Sequence, residues 1–192
     1  MPTNQEFADL ANPHSWFLVA DNLYEQAVRL RDVPTAGTLG LQDRDGRLLG
    51  SWPVENRAVF LLAGFALENT LKAFLVYQNP HFVANGRLAR SLRSHKLVRL
   101  SESVQEIPWP SRGHPVIREF ERGLESWARY PCALSASESE WEQDLPDSLW
   151  REYKRLMQAY GKRLRVLLSR GWSGPHDSGG TWEIRGQFLG AP

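Results

Sequence analysis

Residues 55–78, ENRAVFLLAGFALENTLKAFLVYQ, carry the strongest helical pattern in the chain. Their apolar side chains point in nearly every direction around a helix axis, which is typical of a helix that is buried on most sides. Asn79-Pro80 ends the segment, because proline cannot continue a helix. The longest nearly apolar run, 58–67, is about half the ~20 residues that a membrane span needs. The stretch therefore predicts the central core helix of a soluble bundle, with no membrane partner.

Four further segments with helical spacing flank this central helix. Asn12-Pro13 is a cap followed by a residue suited to the first helical position, and it begins a helix that runs to Arg31. Residues 87–106 predict one helix or two short ones, which the Ile-Pro-Trp-Pro stretch at 107–110 must end. Two more helices are predicted, one over 115–130 and a last one over 144–170. The fold class is therefore all-α, a bundle of about five helices.

Two segments lack helical periodicity. Residues 32–54 contain several glycines and prolines, and they predict a long loop insertion in which the Asp45-Gly46 turn closes a small hairpin. Residues 171–192 are rich in glycine and predict a flexible, irregular tail, with 181–184 as a candidate short strand. Residues 1–170 are accordingly a single helical domain.

Composition narrows the class of protein further. The 192 residues contain 23 Lys plus Arg against 22 Asp plus Glu, so the net charge of +1 provides no global attraction to nucleic acid or anionic membranes. Any such binding must come from a local patch. The single cysteine, Cys132, excludes an internal disulfide and a multi-thiolate zinc site. No His or carboxylate spacing indicates a metal site or cofactor, and the polar amino terminus is unlike a signal peptide, so we expect a cytoplasmic protein.

The central helix contains three polar residues amid apolar neighbours: Glu68, Asn69 and Lys72. Glu68 and Lys72 are four residues apart in the favourable order, so they are expected to pair with each other or with a group on another helix. Buried charges persist only when they are paired and hydrogen-bonded. Two interpretations follow, a structural ion pair that fixes helix register or a polar pocket.

Three stretches, LAGFALENTLKAFLV at 62–76, SHKLVRLSE at 94–102 and WARYP at 127–131, resemble the HEPN superfamily of prokaryotic helical domains. The resemblance runs from about residue 56 to 131 and extends to the last helix. It implies a helical bundle that often forms a homodimer. Members of the superfamily act as nucleotide- or RNA-associated modules, or as metal-independent ribonucleases in toxin-antitoxin and phage-defence systems. A partner protein from a two-gene system is a further implication.

The ribonucleases of this superfamily use an Arg that is followed by four to six residues and a His. The Arg and His side chains of the two protomers meet across the dimer interface. Imidazole can move the 2′-hydroxyl proton and guanidinium can stabilise phosphorane charge. Arg90 with His95, and Arg170 with His176, match the spacing, at a frequency that chance alone produces in this arginine-rich chain. Arg90 and His95 are the candidate catalytic pair, although Ser91 stands where the motif usually has Asn, Asp or His.

His95 also enters a predicted polar pocket beneath the central helix. Charges in so apolar a segment require partners from other helices, and we expect them to converge on one site. The alternative is a histidine at a helix start that simply hydrogen-bonds Glu68. The predicted pocket consists of Glu68, Asn69, Lys72, His95, Arg129 and Tyr130.

The last helix is the one concentrated basic feature of the sequence. Arg151, Arg155 and Arg163 are candidate phosphate-binding residues, with a solvated helix face as the alternative. Neighbouring aromatic residues could stack on bases or belong to the core; these are Trp150, Tyr153, Tyr160 and Trp172. The sequence favours a noncatalytic nucleotide- or RNA-associated module, and it leaves open a metal-independent endoribonuclease or a protein-binding scaffold.

Overall fold

The computed structural model describes residues 2–33, 37–133 and 135–191. These residues form six α-helices: α1 (Asn4–Leu10), α2 (Pro13–Asp32), α3 (Asn56–Gln78), α4 (Leu97–Glu102), α5 (Pro110–Glu125) and α6 (Asp147–Ser169). They also form four short strands: β1 (Thr38–Gln42), β2 (Leu48–Pro53), β3 (Trp172–Ser173) and β4 (Gly179–Gly180). Two 3-10 turns, Pro80–Val83 and Arg90–Arg93, link α3 to α4. The prediction of a mostly helical fold is confirmed.

Helix α3 lies at the centre of the core, as predicted. Phe60 on its first turns packs against the rings of Phe120 and Trp127, which approach from α5 and the turn after it. On another side, the Tyr153 hydroxyl of α6 donates a hydrogen bond of 2.9 Å to the Ala63 carbonyl. The helix is long and apolar enough to span a membrane, but 78% of its most apolar window is buried by the protein itself. This packing is that of a core helix in a soluble protein.

The described helices agree with a bundle of about five plus one short helix, whereas several helix bounds differ from the prediction. Helix α1 was not predicted; the Thr3 hydroxyl and the Glu6 carboxylate form a reciprocal capping box that stabilises its seven residues. Residues 87–106 contain only a 3-10 turn and the short α4. Helix α5 begins at Pro110 rather than 115, because Trp109 adopts the left-handed conformation (φ 54°) that turns the chain into the helix.

The predicted loop after α2 contains a β-hairpin. Strands β1 and β2 pair antiparallel, and the Asp43 carboxylate accepts hydrogen bonds from the backbone N–H groups of Asp45 and Arg47 to close the turn. Gly46 takes a positive φ of 79° there. The hairpin therefore follows the Asp-Gly signal, whereas the 34–36 part of the predicted loop lies outside the described residues.

The glycine-rich tail packs against the bundle, in contrast to the predicted flexible end. The Trp172 ring is buried and its indole N–H donates to the Val76 carbonyl at 3.1 Å. Near the end of the chain Leu189 is also buried, and its N–H donates to the Asp21 carboxylate at 2.6 Å. These two apolar side chains anchor a segment whose composition predicted a flexible, irregular tail.

A glycine in α6 permits this packing. A Cβ built at Gly161 would lie 2.6 Å from the Leu189 carbonyl oxygen, so any side chain there would displace the tail. The candidate strand at 181–184 is not formed; Trp172–Ser173 pairs with Gly179–Gly180 instead.

Candidate functional site

The Glu68 carboxylate is the centre of a buried polar network. Its two oxygens bind different cations or donors: Oε1 lies 2.6 Å from the Lys72 ammonium nitrogen, and Oε2 lies 2.9 Å from Nδ1 of His95. The side chains of Glu68 and Lys72 are each only 5% exposed. The Lys72 ammonium also lies over the Trp16 ring of α2, 5.6 Å from its centroid. The network therefore ties α3 to α2 and to the start of α4.

The remaining members of the predicted pocket lie nearby but outside this network. Asn69 donates to the Phe65 carbonyl of its own helix. Arg129 lies over the Tyr130 ring at 5.3 Å, and both residues are exposed. Arg129 and Tyr130 line an open cleft of about 530 Å³ together with His95, and we call it the His95 cleft. Glu68 and Lys72 do not line it.

Charges in this His95 cleft are largely compensated. Lys96 pairs with Glu125, and the hydrogen bond that its ammonium donates to that carboxylate raises the pKa of Lys96. Arg122 pairs with Glu140 at 2.7 Å. Because three glutamates line the cleft beside its cations, the net attraction for a phosphate group is small.

The candidate catalytic residues Arg90 and His95 line different clefts. Arg90 lines a cleft with Arg93 and Arg99, whereas His95 lines the His95 cleft. The second pair with this spacing is also engaged elsewhere, since Nε2 of His176 accepts a hydrogen bond from the Asn85 N–H.

The three predicted phosphate-binding arginines of α6 differ in their surroundings. Arg163 pairs with Glu106, and Arg155 pairs with Glu152 at 2.5 Å. Within the described parts of the chain, Arg151 has no carboxylate at ion-pair distance. The aromatic residues that were candidates for base stacking are buried in the core; these are Trp150, Tyr153, Tyr160 and Trp172.

A groove between α6 and the segment before α5 combines positive charge with aromatic surface. We call it the α6 groove; it has a volume of about 570 Å³ and is lined by Tyr24, Trp109, Arg151, Lys154, Arg155, Gln158, Ala159 and Lys162. Four cationic side chains and no carboxylate line it. Lys154 and Lys162, like Arg151, have no ion-pair partner in the ranges described.

Trp109 presents the exposed ring of the α6 groove. Its side chain is 46% exposed, and the Arg112 guanidinium lies 5.3 Å from the ring centroid. The left-handed backbone of Trp109 is uncommon for a bulky residue and holds the indole out from the bundle. Tyr24 also lines the groove, and burial raises the pKa of its hydroxyl, so this hydroxyl stays neutral. The Pro-Trp-Pro sequence predicted only a helix break, and nothing local to it indicates the groove.

In chemical terms the α6 groove can bind a polyanion and stack an aromatic base. It holds no general base, since its titratable lining groups are lysines, arginines and a tyrosine with a raised pKa. Over residues 2–33, 37–133 and 135–191 there is no group of three or more His, Cys, Asp or Glu that could hold a metal ion. Binding rather than catalysis is the chemistry this groove offers.

Comparison of the chain with models of known protein families, with curated proteins and with solved structures finds no match.

Proposed function

We propose that this protein is a HEPN-like, noncatalytic module that binds single-stranded RNA in the α6 groove. In this proposal it acts in the cytoplasm of a prokaryote, as part of a defence or toxin-antitoxin type system. The observation that carries the proposal is the exposed Trp109 ring beside four cationic side chains, of which Arg151, Lys154 and Lys162 have no ion-pair partner among the described residues. Proteins that bind single strands use this combination of a basic groove for the backbone and an aromatic platform for the bases.

A noncatalytic role is supported by the chance-level frequency of the Arg-His spacing and by Ser91, which stands where the ribonuclease motif usually has Asn, Asp or His. His95 hydrogen-bonds a buried glutamate through Nδ1 and is half exposed through the rest of its ring. Arg90 faces a separate cleft. A ribonuclease would have to bring these groups together from two protomers.

The experiment that tests RNA binding is fluorescence anisotropy with a labelled single-stranded RNA of roughly ten nucleotides. If about three phosphates are neutralised in the α6 groove, the logarithmic salt slope is about −2, and affinity falls roughly 20-fold between about 50 and 200 mM salt. Arg151→Ala should weaken binding and reduce the slope by about 0.7, because it removes one phosphate contact. Arg185→Ala removes the same charge from the tail, and it should leave both quantities unchanged.

The same RNA, incubated with the protein in EDTA, separates the alternatives. We expect it to stay intact with the wild type and with His95→Ala. Cleavage that His95→Ala abolishes would instead identify a metal-independent endoribonuclease. Absence of both cleavage and salt-dependent binding would leave a protein-binding scaffold.

The proposal includes a homodimer. Among the described Trp and Phe side chains only Trp109 and Trp141 are exposed, and the others are buried or half-buried. Exposed aromatic surface therefore does not support dimer formation. The support comes from the hairpin, where Leu39, Leu48 and Leu49 are each more than half exposed. A second copy that adds its hairpin would cover these side chains and the unpaired strand edges.

Sedimentation velocity at micromolar concentration tests the dimer. We expect the wild type to sediment as a dimer, and the double variant Leu48→Asp with Leu49→Asp as a folded monomer, because two carboxylates would have to be desolvated in the interface. A wild type that is monomeric at this concentration contradicts the dimer.

A further inference from the structure

A third cleft is distinct from both the α6 groove and the His95 cleft. It lies where the two 3-10 turns meet α3 and α4, and it has a volume of about 940 Å³, within the range of small-molecule sites. We call it the arginine cleft. It is lined by Leu75, Asn79, Phe82, Arg90, Ser91, Arg93, Ser94, Arg99, Leu100 and Ser103.

Three guanidinium groups converge on the arginine cleft without a compensating acid. None of its lining residues is Asp or Glu, and no described carboxylate lies within ion-pair distance of Arg90 or Arg99. Arg93 donates from Nε and one terminal nitrogen to the Leu88 carbonyl, which fixes the plane of its guanidinium and leaves other N–H groups free. Three uncompensated like charges repel each other, so an anion that binds between them relieves the repulsion.

The cleft has both polar and apolar lining residues. Its three apolar members, which we call the floor, are the half-buried Phe82 and the buried Leu75 and Leu100, so Phe82 offers most of the apolar surface. Serine hydroxyls accompany the arginines; the Ser94 oxygen accepts from the Lys96 N–H, so its own proton is available to an acceptor in the cleft. Arginine forks and hydroxyl donors match the oxygens of a phosphate, whereas the floor matches a carbon skeleton.

From this arrangement we infer that the arginine cleft is a binding site for a small organic phosphate, with the phosphate held by Arg90, Arg93 and Arg99 and the organic part on the Leu75–Phe82–Leu100 floor. This assignment gives Arg90 a role that does not require His95. It is independent of the α6 groove, because the two sites share no residue.

Isothermal titration calorimetry with phenyl phosphate, inorganic phosphate and phenol tests the site on the full chain. Phenyl phosphate is expected to bind more tightly than either fragment, because only it fills both surfaces. Arg90→Ala and Arg99→Ala should each weaken its binding roughly tenfold, the loss of one charge-assisted hydrogen bond. Both side chains are exposed and unpaired among the described residues, so the variants should melt at the wild-type temperature. Arg87→Ala, an exposed arginine of the same loop that does not line the cleft, is the matched control and should bind normally.

Three outcomes would overturn the inference. Phenyl phosphate that fails to bind at about 10 mM, a concentration that detects even weak sites, excludes the pocket. Equal binding by the wild type and by the double variant Arg90→Ala with Arg99→Ala places the phosphate elsewhere. Displacement of phenyl phosphate by a 5′-phosphorylated RNA, but not by its 5′-hydroxyl counterpart, would assign the cleft to RNA ends instead of small molecules. RNA binding in the α6 groove can succeed or fail separately, since Trp109→Ala does not alter this cleft.

Discussion

Glu68→Ala is expected to lower the free energy of unfolding by about 3–5 kcal/mol, the usual loss when one partner of a buried ion pair is removed. The Lys72 ammonium is 5% exposed, and without Glu68 it keeps only the face of the Trp16 ring as a favourable neighbour. His95 would lose its acceptor at the same time. Urea denaturation followed by circular dichroism measures the change.

A matched exposed pair provides the control for this prediction. Glu25 and Arg29 on α2 have the same four-residue spacing, but both side chains are more than half exposed. Glu25→Ala should therefore cost at most about 0.5 kcal/mol. Replacing both buried partners, with Glu68→Leu and Lys72→Met, should recover much of the stability because no charge is left unpaired. If Glu68→Ala is no more destabilising than Glu25→Ala, the buried network does not stabilise the helix packing.

Trp109→Ala is expected to weaken single-stranded RNA binding by roughly 5- to 150-fold, since base stacking on an aromatic side chain contributes about 1–3 kcal/mol. The ring is the exposed aromatic platform of the α6 groove, and the neighbouring cations position the strand against it. Anisotropy at fixed salt measures the affinity. The salt slope should hardly change, because the substitution removes no phosphate contact.

Trp141→Ala is the control for the role of Trp109. Trp141 is the more exposed tryptophan, at 70%, but it lies in the linker between Glu140 and Glu142 rather than beside cations. Its removal should leave RNA binding unchanged. An equal loss for both variants would mean that the measured binding is nonspecific contact with exposed tryptophan.

The parts of the fold that the sequence predicts correctly are those encoded by local spacing. The apolar periodicity of 55–78 predicts α3, and the spacing of Glu68 and Lys72 predicts their ion pair. The contact from His95 to Glu68 follows from a general requirement, that a buried charge must find partners. The first two of these expectations need only one helix and one rule each, and the third joins α3 to the segment before α4.

Other contacts between distant segments could not be predicted from local spacing. Arg163 has the same helical context as Arg151, but Glu106 from another segment pairs with it and leaves Arg151 free. Trp109 reaches the α6 groove through its backbone geometry, and no periodic pattern encodes a single left-handed residue. Packing of the tail through Trp172 likewise depends on where α3 presents a free carbonyl.

The most direct test of the central claim, that the α6 groove binds single-stranded RNA, is photocrosslinking. The wild-type protein is irradiated with single-stranded RNA containing 4-thiouridine, and the modified residues are identified by mass spectrometry. We predict crosslinks at Trp109 and at the α6 residues that line the groove. In the Trp109→Ala variant we expect no crosslink at position 109. Crosslinks confined to the His95 cleft, at Tyr130 or His95, would contradict the account and place RNA at the ribonuclease-like site.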